Sequence, residues 1–367
     1  MQGSSPVNFH YKPNTLVAYS KALQQGQNYL SGPEPNDQVV LMCCLLFYMI
    51  ENARGDFNTA TRHALAGLAI LKKFGSKPKS KVNLKNGPLD DISDALLGYF
   101  HTLDTRFSFG SNYTRPALKL VTEDERKGLT PIVPPKFYTM AEISAAEVKL
   151  ANWAFTLLSS VIQEHKFDSM DAITPSIRFE IDGFAREAEK ATHALDDFYR
   201  VQKSAKDTTW TDMSRILSHQ IMYMSLFCCF SGALASATSS PPVIDLEELY
   251  EKTVVQMEEL RDGLIFNEPN RRSFLCLRGV TSSLVIVAIE STNAELRRKS
   301  KEILRNWPIR EGLIDGKKAA DVIENMAAME AAGVVLKPPI PGWHFWKSTV
   351  VVAQVVKLSV AVGSPQS

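Results

Sequence analysis

Long runs of apolar residues recur at helical spacing, with scarcely any period-two alternation, and this limits what the chain can build. From Phe57 the apolar positions Phe57, Ala60, Ala64, Leu68 and Leu71 step by three and four, and Leu65 and Ile70 widen the stripe. The same spacing recurs in Phe179, Phe184, Ala188, Ala191, Leu195 and Phe198. Such spacing places residues on one face of a helix, whereas a half-buried strand would need strict alternation. Strands alternating with helices are missing, which disfavours a doubly wound α/β fold. The expectation is an all-α protein of stacked antiparallel helical hairpins, with about ten helices read from this pattern.

Punctuation residues place the elements. Apolar residues Leu16, Val17, Tyr19, Leu23 and Tyr29 fit a first helix from Pro13 to Leu30. Asp37 stands as a cap before Val39 to Ile50, a segment apolar on all sides and therefore expected in the core. Gly55-Asp56 closes that helix, and the next runs to Phe74, forming a hairpin. Residues 75 to 88, with four lysines among turn formers, read as a solvated loop, and Leu89 to Phe109 as a helix. Prolines make Gly110 to Pro135 irregular. Thr139 with Glu142 three residues on is a capping box opening a helix that runs to about His165. Further helices are expected over Arg178–Lys203, Met213–Ala237, Leu246–Leu264, Ala294–Asn306 and Ala319–Ala332, the last stopped by Gly333. Residues 1–345 form one large helical domain on this reading. Residues 346–367 are a separate apolar segment in which Thr349 to Val362 is interrupted by Gln354 and Lys357. That run is shorter than the roughly 18 to 20 residues of a membrane span and reads as a buried terminal element.

Charge excludes one class of partner. Lys and Arg number 41 against 40 Asp and Glu, a formal net charge of +1, so bulk attraction to nucleic acid or to an anionic membrane is not expected. The five cysteines fall as Cys43-Cys44, Cys228-Cys229 and Cys276 within apolar stretches, which suits buried thiols in a reducing compartment better than a disulfide framework.

Several segments together resemble the fungal-specific transcription factor region, the large regulatory domain of the zinc-cluster family. They are Y-x-K-A-L (Tyr19, Lys21, Ala22, Leu23), V-V-L-M-C-C-L-L-F (Val39 to Phe47), E-N-A-R-G-D-F (Glu51 to Phe57) and A-x-x-H-A-L-A-G-L-A-I-L (Ala60 to Leu71). Later come Phe100-His101-Thr102-Leu103-Asp104 with Phe109-Gly110. Leu296-Arg297-Arg298, Ile303-Leu304 and Pro308 to Asp315 (P-I-R-E-G-L-I-D) complete the order. The resemblance implies an all-helical domain of fungal origin with a regulatory role in the nucleus (the cytoplasm is the alternative), sensing a small apolar metabolite or pairing with itself or related regulators. The family's zinc cluster needs six closely spaced cysteines beside basic residues, and this chain lacks that pattern, so it is not expected to contact DNA itself. The segment after Trp343 also departs from the family's pattern.

Chemistry-bearing residues are sparse. No H-E-x-x-H, P-loop, G-x-S-x-G or G-x-G-x-x-G occurs, and no metal or cofactor is expected. Glu51 and Arg54, three apart at a helix end, can pair across one turn or contact a ligand. Arg310 and Glu311 read as loop braces. His101, Asp104 and Arg106 gather near another helix end, where a His–Asp pair is a candidate acid–base unit and Arg106 a candidate ligand contact. His219 and Tyr223, four apart on a very apolar helix, read as a hydrogen-bonded core pair or as the polar handle of an apolar pocket. Three functions follow: a regulatory sensing domain; a stand-alone, cofactor-independent enzyme of cyclase or isomerase type acting on an apolar metabolite; or an interaction protein pairing with relatives.

Overall fold

The computed structural model describes residues 13–32, 36–54, 56–75, 90–110, 116–164, 174–238, 245–267, 274–275, 280–307, 310–311 and 315–334. The protein is all-α, with twelve helices among the described residues. It divides into two compact units, Met1–Phe100 and His101–Ser367. The expected boundary at 345/346, the terminal segment 346–367 and the lysine-rich loop all lie outside the described residues.

The first unit contains α1 (Pro13–Leu30), α2 (Asp37–Arg54) and α3 (Phe57–Gly75), and α4 (Asp90–Gly110) crosses into the second. Asn36, rather than Asp37, caps α2: its Oδ1 accepts the amides of Gln38 at 2.9 Å and Val39 at 3.3 Å. Asp56 caps α3 through the Thr59 amide at 3.0 Å, so the short α2–α3 turn is set by a side chain that satisfies an open helix start. Helices α2 and α3 pack together, and Ala60, Ala64, Leu68 and Leu71 of α3 are buried, as are Val40, Leu41, Cys44, Leu45 and Tyr48 of α2. Burial raises the Cys44 thiol pKa, and neighbouring Cys43 raises it further. Gly67 matters because a Cβ there would lie 2.2 Å from the Phe100 ring. Two further expectations need correction. Helix α2 is not covered all round, since Val39, Met42, Leu46, Met49 and Ile50 are exposed. Leu65 does not widen the buried stripe of α3 but stands half exposed, because Ala60, Ala64 and Leu68 already define the contact face.

The second unit adds α5 (Glu123–Arg126), α6 (Met140–Glu164), α7 (Pro175–Ser204), α8 (Trp210–Thr238), α9 (Leu246–Asn267), α10 (Val280–Glu290), α11 (Ala294–Arg305) and α12 (Gly316–Ala331). A two-residue parallel pair, β1 (Phe274–Leu275) and β2 (Arg310–Glu311), matches Phe274 with Arg310 and Leu275 with Glu311. The brace expected of Arg310 and Glu311 is thus made by their backbone. The expected Thr139 box opens α6: Glu142 accepts the Thr139 amide at 3.0 Å, and Thr139 Oγ1 accepts the Glu142 amide at 3.2 Å. Thr174 caps α7, with proline in its first turn. Gly333, at φ 79°, ends α12 in the left-handed conformation that glycine adopts without strain.

Helix α8 is the hub. It packs against α6, α7, α9 and α10, and Leu217, Ile221, Tyr223, Phe227 and Phe230 are buried along it. Phe184 on α7 packs at a tilt against Phe230, 4.2 Å between ring centroids, and meets Trp153 of α6 edge-on at 5.7 Å. Phe179, expected on the same inner face, is instead half exposed, because it lies in the first turns of α7, before the helix reaches that aromatic cluster. Polar side chains hold the irregular chain before α6. Glu187 accepts the amides of Ile132 and Val133, each at 3.0 Å, and Asn152 grips the Leu118 carbonyl at 2.8 Å and the Leu120 amide at 3.2 Å. Among the described residues no helix is long and apolar enough to cross a membrane.

At Gly316 a Cβ would stand 2.4 Å from the Leu304 carbonyl oxygen, which is backbone and has little freedom to yield. The Gly316→Ala variant is expected to lose about 1–3 kcal/mol in urea denaturation, the usual range for overpacking. In contrast, Gly98→Ala, where nothing lies within 4 Å, is expected to gain about 0.5–1 kcal/mol.

Candidate functional site

Two polar clusters hold four of the residues singled out by the sequence, Glu51 with Arg54 and His219 with Tyr223. The first lies in the N-terminal unit. Glu51, only 3% exposed, lies in the last turn of α2. Its carboxylate accepts Arg54 Nη1 at 3.0 and 3.1 Å and the hydroxyl of Tyr19 from α1. The Arg54 guanidinium also lies 5.1 Å from the centroid of the Tyr19 ring, a cation–π distance. Burial, then the hydrogen bond and charge of Glu51, push the Tyr19 phenol well above its ordinary range, so it stays a donor. Phe47 meets Tyr19 edge-on at 5.9 Å and His63 of α3 at 5.3 Å. Burial drives the His63 pKa down, so its ring tends to the neutral form. Glu51 and Arg54 therefore form the pair expected from their spacing, and Tyr19 is a third member that spacing could not reveal.

The second cluster lies between α6 and α8. His219 Nδ1 contacts the Glu147 carboxylate, and its Nε2 lies 3.3 Å from Ser144 Oγ. In the tautomer whose Nδ1–H donates to the Glu147 carboxylate, Nε2 is left to accept the Ser144 hydroxyl. Side-chain exposure is 20% for His219 and 17% for Glu147, so the group opens to solvent through a narrow face. Beneath it, buried Tyr223 donates to the Ile143 carbonyl at 3.2 Å. Burial first, and the nearby Glu147 charge second, raise the Tyr223 pKa far above its ordinary value. His219 and Tyr223 do share a side of α8, as their spacing predicted. Ser144 and Glu147 were not foreseen. Their i, i+3 spacing on α6 marks a common face, but nothing local to that helix indicates a histidine on α8.

The remaining candidates separate. Both carboxylate oxygens of Asp104 accept backbone amides, from Ala117 at 2.9 Å and Leu118 at 2.8 Å, which fixes the chain after α4. His101, one turn earlier, has its pKa lowered by burial. Arg106 lies on α4, but its side chain is outside the described residues. No three His, Cys, Asp or Glu side chains converge as a metal site among the described residues. Comparison with family models gives no match, and neither do comparisons with curated proteins and with solved structures.

Tyr223→Phe keeps the ring packing and deletes one buried hydrogen bond, an expected loss of about 1 kcal/mol at neutral pH. Because the folded pKa lies above the unfolded value, Tyr223 stabilises the fold fully below about pH 10 and progressively less as pH rises beyond it. Denaturation midpoints between neutral and strongly alkaline pH should therefore fall more steeply for the natural chain than for Tyr223→Phe.

Proposed function

We propose that this chain is a regulatory domain of the kind found in fungal zinc-cluster transcription factors, sensing a small apolar metabolite or a related regulator in the nucleus without itself contacting DNA. The observation that carries this reading is the meeting of four separated motifs in one contact group. Tyr19 comes from the Y-x-K-A-L segment, Phe47 from V-V-L-M-C-C-L-L-F, Glu51 and Arg54 from E-N-A-R-G-D-F, and His63 from the segment ending in A-I-L. Residues that define the resemblance are thus the residues that tie α1, α2 and α3 together. A pattern of this sort is a packing requirement, which a chance run of apolar residues would not produce.

The near-neutral net charge fits a domain that leaves DNA to another module. Among the described residues the interior is helical and apolar, and buried Glu51, Asp104, Glu125 and Glu187 are each paired with a cation or with backbone amides. Any metabolite recognised there would be held mainly by apolar contact, with a small number of polar groups setting its orientation. The alternative of catalysis draws on a different place in the fold, the contact of Ser144, His219 and Glu147.

The test joins the whole chain behind a heterologous DNA-binding module and reads a reporter gene in a fungal host. The fusion is expected to change output several-fold relative to the module alone. Glu51→Gln, which weakens the charge on which Arg54 and Tyr19 converge, is expected to reduce that change. A fusion that is present at equal abundance and behaves as the bare module would overturn the regulatory reading.

A further inference from the structure

We infer that Ser144, His219 and Glu147 form a nucleophilic relay competent for acyl transfer from small carboxylic esters. Three side chains make the required chain of contacts. The Ser144 hydroxyl lies 3.3 Å from His219 Nε2, and the Glu147 carboxylate engages Nδ1 of the same ring. That is the order nucleophile, base and orienting group, and such a constellation is recognised by geometry and role rather than by position in the sequence. The frame is rigid. Ser144 and Glu147 are one turn apart on α6, whose start is fixed by the Thr139–Glu142 box, and His219 stands on α8, the most enclosed long helix of the unit. Tyr223, one turn along α8, ties that helix to the Ile143 carbonyl next to Ser144, which keeps the serine and the imidazole in register.

The start of α6, where the Glu142 carboxylate accepts the Tyr138 and Thr139 amides, lies at the same end. The first-turn amides of Met140 and Ala141 precede those taken by the Thr139 hydroxyl and carbonyl, so the positive end of α6 is one turn from Ser144. Arg215 is exposed one turn before His219 on α8. The reaction balances with water as the only co-reactant. Ser144 Oγ bonds to the ester carbonyl carbon while its proton passes to His219 Nε2. The carbon–oxygen bond to the alcohol then breaks, and the departing alkoxide takes that proton. Water attacks the acyl-serine with His219 as base, which releases the carboxylic acid and restores the Ser144 hydroxyl. Glu147 keeps the imidazole in the tautomer that presents Nε2 to the serine and is a positioning residue. Because Ser144 is half-buried and the His219 and Glu147 side chains are mostly covered, the site suits an unhindered acyl group that reaches the α6–α8 face from solvent.

The full-length protein is treated with an alkyl fluorophosphonate near neutral pH, and the adduct is located by peptide mass. Phosphorus bonds to Ser144 Oγ as fluoride leaves, and His219 takes the proton. The expected result is a Ser144 adduct that is lost in Ser144→Ala and forms ~100-fold more slowly in His219→Gln, the scale of general-base assistance. Glu147→Gln is expected to lower the maximal labelling rate while leaving the half-saturating probe concentration unchanged, a split that simple loosening of the helices would not give. Far-UV circular dichroism confirms that each variant keeps its helices. Absence of the adduct on the folded natural protein, or labelling at an equal rate in His219→Gln, overturns the relay and leaves a structural α6–α8 bridge. Either outcome is independent of the reporter experiment.

Discussion

The second unit depends on the enclosure of one helix. Buried residues on α8 include Ile216, Leu217, Ile221, Tyr223, Met224, Phe227, Cys228 and Phe230, and at about 100° per residue they cover most of the helix circumference. A helix with so little polar face has to be surrounded. Helices α6, α7, α9 and α10 supply the walls. Each large apolar side chain fully buried there contributes about 1.5–3 kcal/mol against the entropy of ordering it. Helix α10 follows the same logic on a smaller scale, with Val280, Leu284, Val285, Ile286 and Val287 all buried. His219 stands at one of the few places where α8 reaches solvent, and that break in the apolar surface is where Ser144 and Glu147 meet it.

The polar groups around this core mostly organise backbone. Asp104, Glu187 and Asn152 use side-chain oxygens to accept amides of the irregular stretch 116–137. Glu247 does the same between α9 and the α10–α11 turn, accepting the Thr292 amide at 2.5 Å as well as the hydroxyls of Ser291 at 2.7 Å and Thr292 at 2.9 Å. Burial alone would raise the Glu247 pKa, but the bonds from Thr292 and Ser291 outweigh it and leave the pKa lowered. Buried backbone amides need partners, and a loop without secondary structure has to obtain them from side chains. These clasps fix the chain that leads into α6, and through it the serine and glutamate that face His219.

Helices were legible where local chemistry marks them. The Thr139–Glu142 box, the Gly333 stop and the Ala60–Leu71 stripe all stand where the residues place them. Helix α5 was missed although Thr122 and Glu125 carry the same capping box, because the prolines around it dominated the reading of that segment. Phe179 and Leu65 were placed inside since periodicity gives a face and not its width. Long-range contacts were the least legible: Tyr19 reaches Glu51 across 32 residues and His219 reaches Glu147 across 72, distances over which spacing carries no information.

The most direct test of this architecture is native-state hydrogen exchange read along α8. The account predicts that amides from Ile216 to Phe230 exchange only through global unfolding and are the slowest in the second unit, with those of surface helix α11 opening earlier. Exchange of the His219 turn by a local opening well below the global free energy would contradict it, because a serine–histidine contact cannot be held by a helix that opens on its own.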